Sequence, residues 1–262
     1  MTAISTAELI IYATLSIPTL YILFKHGHAG LLGWLYLFAF CSLRVIGSAM
    51  DLSGNTSAGI ISSVGLSPLL LAASGILHEA RNYYCNPMSR KLKWIVIILF
   101  HILVTTGLVI VASGASSLQS SDGKPTDAPK ASKNASSVRT GMSLLTLAWA
   151  IIAVVSVWIL ARPAKSPMPR SITAAGTRLL WAVLVSDIFS GIRVIYSLIA
   201  LVTKDKNLNP QTGSLAIRVV LGLIPELISV LAFVTAGLVT RHVARESKAK
   251  KSSDYVELLN RR

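Results

Sequence analysis

Apolar residues gather into seven long runs, near residues 6–24, 30–50, 57–78, 93–114, 141–161, 175–202 and 213–240. Polar or turn-forming stretches separate them at 25–29, 51–56, 79–92, 115–140, 162–174 and 203–212. A bilayer core of about 30 Å takes about 20 residues of helix. Each run reaches that length once a few interior polar positions are admitted. The pattern predicts an all-α polytopic membrane protein of seven transmembrane helices, with a transmembrane domain over 1–240 and a basic tail over 241–262. Met1–Ala7 carries no Lys or Arg, unlike the start of a signal peptide, so the first run reads as a span. The sixth and seventh runs are the longest and are expected to tilt. The 115–140 connection, rich in Ser, Lys, Pro and Asp, lacks the means to bury a core and is expected to be a disordered lumenal loop.

Composition agrees with lipid as the solvent. Of 262 residues 53% are hydrophobic and only 14% charged, with a mean hydropathy of +0.63, too apolar for an ordinary soluble domain. The net charge of +14 would by itself suggest a nucleic-acid partner. Its distribution argues otherwise: 15 of the 25 Lys and Arg fall in connections 1–2, 3–4 and 5–6 and the tail, six on the opposite face, and four within spans. Basic residues mark the cytosolic side of a membrane protein. The predicted topology therefore has a lumenal or extracellular N-terminus and a cytosolic C-terminus, with the tail attracted to anionic lipid and no nucleic acid bound. The endoplasmic reticulum is the expected membrane in preference to the plasma membrane. A glycosylation sequon at Asn134-Ala135-Ser136 lies on the face this topology makes lumenal. Cys41 and Cys85 give neither a disulfide framework nor metal spacing.

A repeat is visible within the apolar runs. Phe40-Cys-Ser-Leu-Arg44-Val-Ile-Gly-Ser48 aligns with Phe189-Ser-Gly-Ile-Arg193-Val-Ile-Tyr-Ser197, with Phe, Arg, Val, Ile and Ser identical. Gly65-Leu-Ser-Pro68-Leu-Leu70 aligns in the same order with Gly222-Leu-Ile-Pro225-Glu-Leu227. Spans 1–3 and 5–7 thus read as two parallel copies of a three-helix unit joined by span 4, a 3+1+3 arrangement.

Polar residues inside spans should face the bundle, because a charge facing lipid costs several kcal/mol. Their spacing agrees: Cys41, Arg44, Ser48 and Asp51 form one helical stripe, and Ser186, Ser190, Arg193 and Ser197 form another, with Asp187 about 100° away from the start of that stripe. Counting along the spans puts Asp187 and Glu226 near the midplane, Arg44, Arg193 and Arg218 in the lumenal half and Glu8 near the lumenal mouth. Pro68 and Pro225 fall near mid-span, where each permits a kink. Arg44 and Arg193 either cap carbonyls or pair with Glu8, Asp51 and Asp187 to hold helices together, or they serve a site. Glu226 is the sharpest candidate, since its counterpart in the first repeat is Leu69 and packing symmetry does not explain it. An acid there is either kept neutral by desolvation or held ionised by Arg218 or Arg193.

At Lys25-His-Gly-His-Ala, Gly33-Trp34, Arg44-Val-Ile-Gly-Ser48 and Gly65-Leu-Ser-Pro-Leu-Leu-Leu71 the chain resembles a family of fungal seven-helix membrane proteins catalogued as a domain of unknown function. The likeness implies a multi-pass fungal protein and transfers no catalytic residues. In size and span number alone the chain is also similar to fungal meroterpenoid cyclases, whose sequence motifs it lacks.

Three functions compete. The first is a membrane-embedded terpene cyclase of fungal secondary metabolism, an isomerase acting on a prenylated or terpenoid lipophilic substrate. It needs a protonated carboxyl, a base and an aromatic cavity around the cation. Glu226 or Asp187 would be the acid, and the other, or Glu8, the base. Arg44, Arg193 and Arg218 would bind substrate, with Tyr12, Trp34, Phe40, Phe189 and Tyr196 lining the cavity. No metal or nucleotide motif appears, so no cofactor is expected. The second is a small-solute transporter. The 3+1+3 repeat resembles the sugar-efflux and proline-glutamine-loop transporters, with mid-span prolines and paired arginines gating an anionic or sugar-like solute; Pro210-Gln211, however, lies in a loop and not in a span. The third is a receptor, which lacks positive signs: span 7 has no Lys, no Asp-Arg-Tyr follows span 3, and His78-Glu79-Ala-Arg81 there is too generic to replace it.

Overall fold

The computed structural model describes residues 2–55, 58, 61, 64–84, 89–119, 128–162, 169–203, 206–208 and 213–260. Helical hydrogen bonding runs from Thr2 to Leu52 but breaks at Gly27 (φ 59°, ψ −155°). That backbone region is open essentially only to glycine, and it divides the run into α1 (Ala3–Gly27) and α2 (Gly30–Leu52). The two lie antiparallel: Ser5 Oγ donates to Asp51, Ser48 Oγ donates to Glu8 Oε2 at 3.2 Å, and the Tyr12 and Phe40 rings meet edge to face at 5.6 Å. Then follow α3 (Leu66–Tyr84), α4 (Arg90–Gln119), α5 (Ala128–Leu160), α6 (Arg170–Thr203), α7 (Leu215–Thr240) and α8 (Val243–Asn260).

Among the described residues the fold is all-α, and six helices, α1, α2 and α4 to α7, are long and apolar enough to cross a membrane. The third expected span is different. Fifteen of the 19 residues of α3 are buried, including Ser67 and Glu79. Helix α3 packs against the α1–α2 hairpin, α5 and α6, so it carries polar groups without offering them to lipid. At the periphery, α4 pairs with α5 and leaves Trp94, Ile98, Leu99 and Ile102 exposed. In water such a surface would associate; in a bilayer it is solvated.

Several expectations change. Residues 115–119 and 128–140, expected in a disordered lumenal loop, are helical ends of α4 and α5; the rest of that loop, 120–127, lies outside the described residues. Asn134 is the first residue of a membrane-length stretch of α5 and not on a loop, which removes the setting its sequon needs. The basic tail forms α8, with Val243 and Ser247 buried. Pro68 is the third residue of α3 and not a mid-span kink, because its missing N–H is among those a first helical turn leaves unpaired anyway. Pro225 does perturb its helix. Residues Arg218–Leu223 are wound as π-helix, with Ile224 N–H bonded to Val219 O. The wider winding relieves the clash a proline makes with the carbonyl four residues before it.

Helices α2 and α3 touch backbone to backbone at Gly33 and Gly75. A Cβ on Gly33 would lie 2.6 Å from Ile76 N and 2.8 Å from Gly75 C. We expect Gly75→Val to destabilise the protein by about 1–3 kcal/mol, the usual cost of overpacking. Gly222→Ala, with nothing within 4 Å of its Cβ, should stay within about 0.5 kcal/mol of wild type. Unfolding of the purified protein in micelles compares the two.

Candidate functional site

The sequence-predicted charges form no single cluster. Arg44 of α2 and Arg193 of α6 converge on Glu226 of α7: Arg44 Nη2 donates to the carboxylate, and Arg193 Nε donates to Oε1 at 2.9 Å. All three are buried, Glu226 to 1% exposure. Arg193 Nη1 also donates to Ser197 Oγ at 2.6 Å, one turn on. The Arg44 guanidinium lies 5.5 Å from the Phe40 ring centre, that of Arg193 5.6 Å from the ring centre of Tyr196. Two guanidiniums share one carboxylate, and the half-buried Glu8 adds to the field on Arg44. The Tyr12 and Tyr196 hydroxyls and Ser67 Oγ are buried with no hydrogen-bond partner among the described residues.

Of the two alternatives for Glu226, the geometry takes the second: it is the counter-ion of Arg193, as one alternative had it, and of Arg44, which the pattern did not assign to it. Asp187 stands apart. Six residues separate it from Arg193 on α6, about 120° round the helix. It faces α5, where Ser156 Oγ donates to Oδ2 at 3.3 Å, while Oδ1 has no partner among the described residues. Arg218 is half-buried at the start of the π-helical segment, and Phe189 is half-buried.

Trp34 is displaced most from its expected role. It lies at the other end of the bundle, fully buried, and its Nε1 donates to Glu79 Oε2 at 2.8 Å. The same carboxylate meets His26 Nδ1 at 2.7 Å and accepts from Tyr83 Oη at 3.2 Å. His26 Nε2 donates to Gly237 O at 3.0 Å, and its ring packs 4.7 Å from that of Trp34. Gly237 admits the packing, since a Cβ there would lie 2.6 Å from Trp34 Cη2. This network ties α1, α2, α3 and α7. Sequence reading passed over His26 and Glu79 as connection residues. The available signal was that His26, Gly33 and Trp34 fall among the motifs that carry the family likeness, and that Glu79 is a lone acid among aromatic residues.

Fold and composition define a multi-pass helical membrane protein. Residues 1–243 match the family described as Domain of unknown function (DUF7702), and the chain belongs to that family. No curated protein and no solved structure matches it. Among the described residues no group of three or more His, Cys, Asp or Glu is placed to hold a metal.

Breaking a buried ion pair by removing one partner costs about 3–5 kcal/mol, so Glu226→Gln, which leaves two guanidiniums without their carboxylate, should lower stability by that order. Arg193→Leu combined with Glu226→Gln should cost less than the sum of the single substitutions. A double-mutant cycle on unfolding in micelles measures the coupling; strict additivity would count against the shared carboxylate.

Proposed function

We propose that the protein is a small-solute transporter, and that its two buried polar networks are the closures at the two ends of a path for an anionic or sugar-like solute. One observation carries the reading: Arg44 and Arg193, at equivalent positions of the two sequence repeats, meet on the single carboxylate of Glu226. A contact made jointly by two repeats is where repeat-built transporters hold their solute. Glu226 sits directly after Pro225 and the π-helical turn, in α7, which like α2 also joins the opposite network, α7 through Gly237 O and α2 through Trp34. Helix α7 is bonded at two levels, Glu226 and Gly237, with its irregular turn just before the first; release of one level while the other is kept is what alternating access requires. On this reading the end with Lys25, Arg81, Arg162 and Arg170 faces the cytosol, and a solute anion would compete with Glu226 for the two guanidiniums. Flux into proteoliposomes, assayed with a panel of sugars, carboxylates and phosphates, should be saturable in wild type and reduced at least tenfold by Arg44→Gln or Arg193→Gln. No flux of any panel member by correctly folded protein would reject the reading.

A second reading keeps the membrane-bound terpene cyclase. It is favoured by Asp187, a carboxyl at 3% exposure that among the described residues accepts a side-chain hydrogen bond from Ser156 alone, a setting suited to a proton donor to an alkene or epoxide. Against it, Trp34 donates to Glu79 and lies apart from the Tyr12–Phe40 ring pair. In a host supplying prenylated epoxides, Asp187→Asn should abolish product formation; equal product yield from wild type and variant would eliminate this chemistry.

A further inference from the structure

The hydrogen bonds of His26 count its protons. Gly237 O is a carbonyl and only accepts, so Nε2 at 3.0 Å must carry hydrogen. Nδ1 stands 2.7 Å from Glu79 Oε1, a separation two lone pairs do not tolerate, so a second proton lies between them. Whichever atom formally holds it, imidazole and carboxyl together are neutral. Both side chains are fully buried, away from any water that would solvate a bare carboxylate.

From this geometry we propose that His26 and Glu79 form a binding site for one proton, and that this proton is the coupling ion of transport; the second clause rests on the transporter reading above. Release of the proton to water takes the pair from neutral to a net charge of −1. It leaves the Nδ1 lone pair facing the carboxylate, so the bond between α1 and α3 is lost. The imidazole is then free to turn away from Gly237 O, which releases α7 at this end. Binding a proton latches the end, and losing it unlatches it.

The other ionisable groups on the packed elements do not substitute for the pair. On α1, Lys25 is exposed and lies 5.4 Å from the Tyr21 ring centre. On α3, Tyr83 donates to Glu79, while His78 is half-buried with Nε2 against Asn82 at 3.3 Å, and Arg81 is half-buried. Arg178 of α6 and Arg241 and His242 after α7 are exposed. On α8, Arg245 is exposed and Glu246 accepts from Ser171 at 3.5 Å. Helix α2 presents the neutral Trp34.

The test uses the full chain in lipid nanodiscs with its five histidines labelled with 15N, the His26 signals being assigned by their loss in His26→Gln. The expected result is an Nε2 that stays protonated throughout and an Nδ1 that loses its proton in a single step as pH rises, with the melting temperature falling over the same interval. Glu79→Gln, whose amide donates to a neutral imidazole, should abolish both steps. An unprotonated Nε2 in the folded protein, or an unchanged step in Glu79→Gln, would overturn the site. For coupling, solute flux in the proteoliposome assay should respond to an imposed pH gradient in wild type and be indifferent to it in Glu79→Gln, whatever the absolute rate. Flux that ignores the gradient in wild type overturns the coupling alone. Absence of flux in wild type overturns the transporter reading and leaves the proton site to be judged by the nitrogen signals.

Discussion

A carboxylate inside a lipid-embedded bundle persists only if the protein replaces the water it has lost, and Glu226 does so with guanidiniums from two other helices. Much else is arranged around that requirement. Long arginine side chains must reach one point from α2 and α6, so the polar stripes of those helices turn toward α7. Gly65 stands where a Cβ would come within 3.4 Å of the Arg44 guanidinium. The π-helical turn Arg218–Leu223 ends just before Pro225 and Glu226.

The opposite end solves the same problem with different groups. Glu79 has no guanidinium; it is surrounded by an imidazole, an indole N–H and a phenol. Such donors satisfy a carboxylate without adding two fixed charges, and they leave the electrical balance to a single proton. Helix α7 takes part in both networks, through a side chain at Glu226 and through a main-chain carbonyl at Gly237. Helix α3, almost wholly enclosed, is the post against which the α1–α2 hairpin, α5 and α6 pack, and its contact with α2 is close enough to need glycine on both sides.

How far the sequence could be read depended on the kind of interaction. The stripe Arg44–Ser48 and its counterpart Arg193–Ser197 were legible because helical spacing alone places them, and Ser197 does bond Arg193. That Glu226 would take both arginines was not legible, since its aligned partner Leu69 gives no hint of it and the closing distances cross 182 and 33 positions of chain. Trp34 read as a cavity aromatic because aromatic residues in spans so often are; only its neighbours show it as a hydrogen-bond donor to an acid. His26 and Glu79 fell at the edges of apolar runs, where charged residues ordinarily meet water, so hydropathy assigned them to connections although both are buried.

Length and periodicity are local properties, and from them the sequence by itself determined an all-α chain, apolar runs long enough for a bilayer and polar stripes turned inward. The tertiary structure decided which polar group answers which. Partner choice depends on the rotation and crossing of helices distant in sequence, and these follow from contacts such as Gly33 against Gly75, from the turn at Gly27 and from the π-winding before Pro225, whose consequences appear only once the helices are packed.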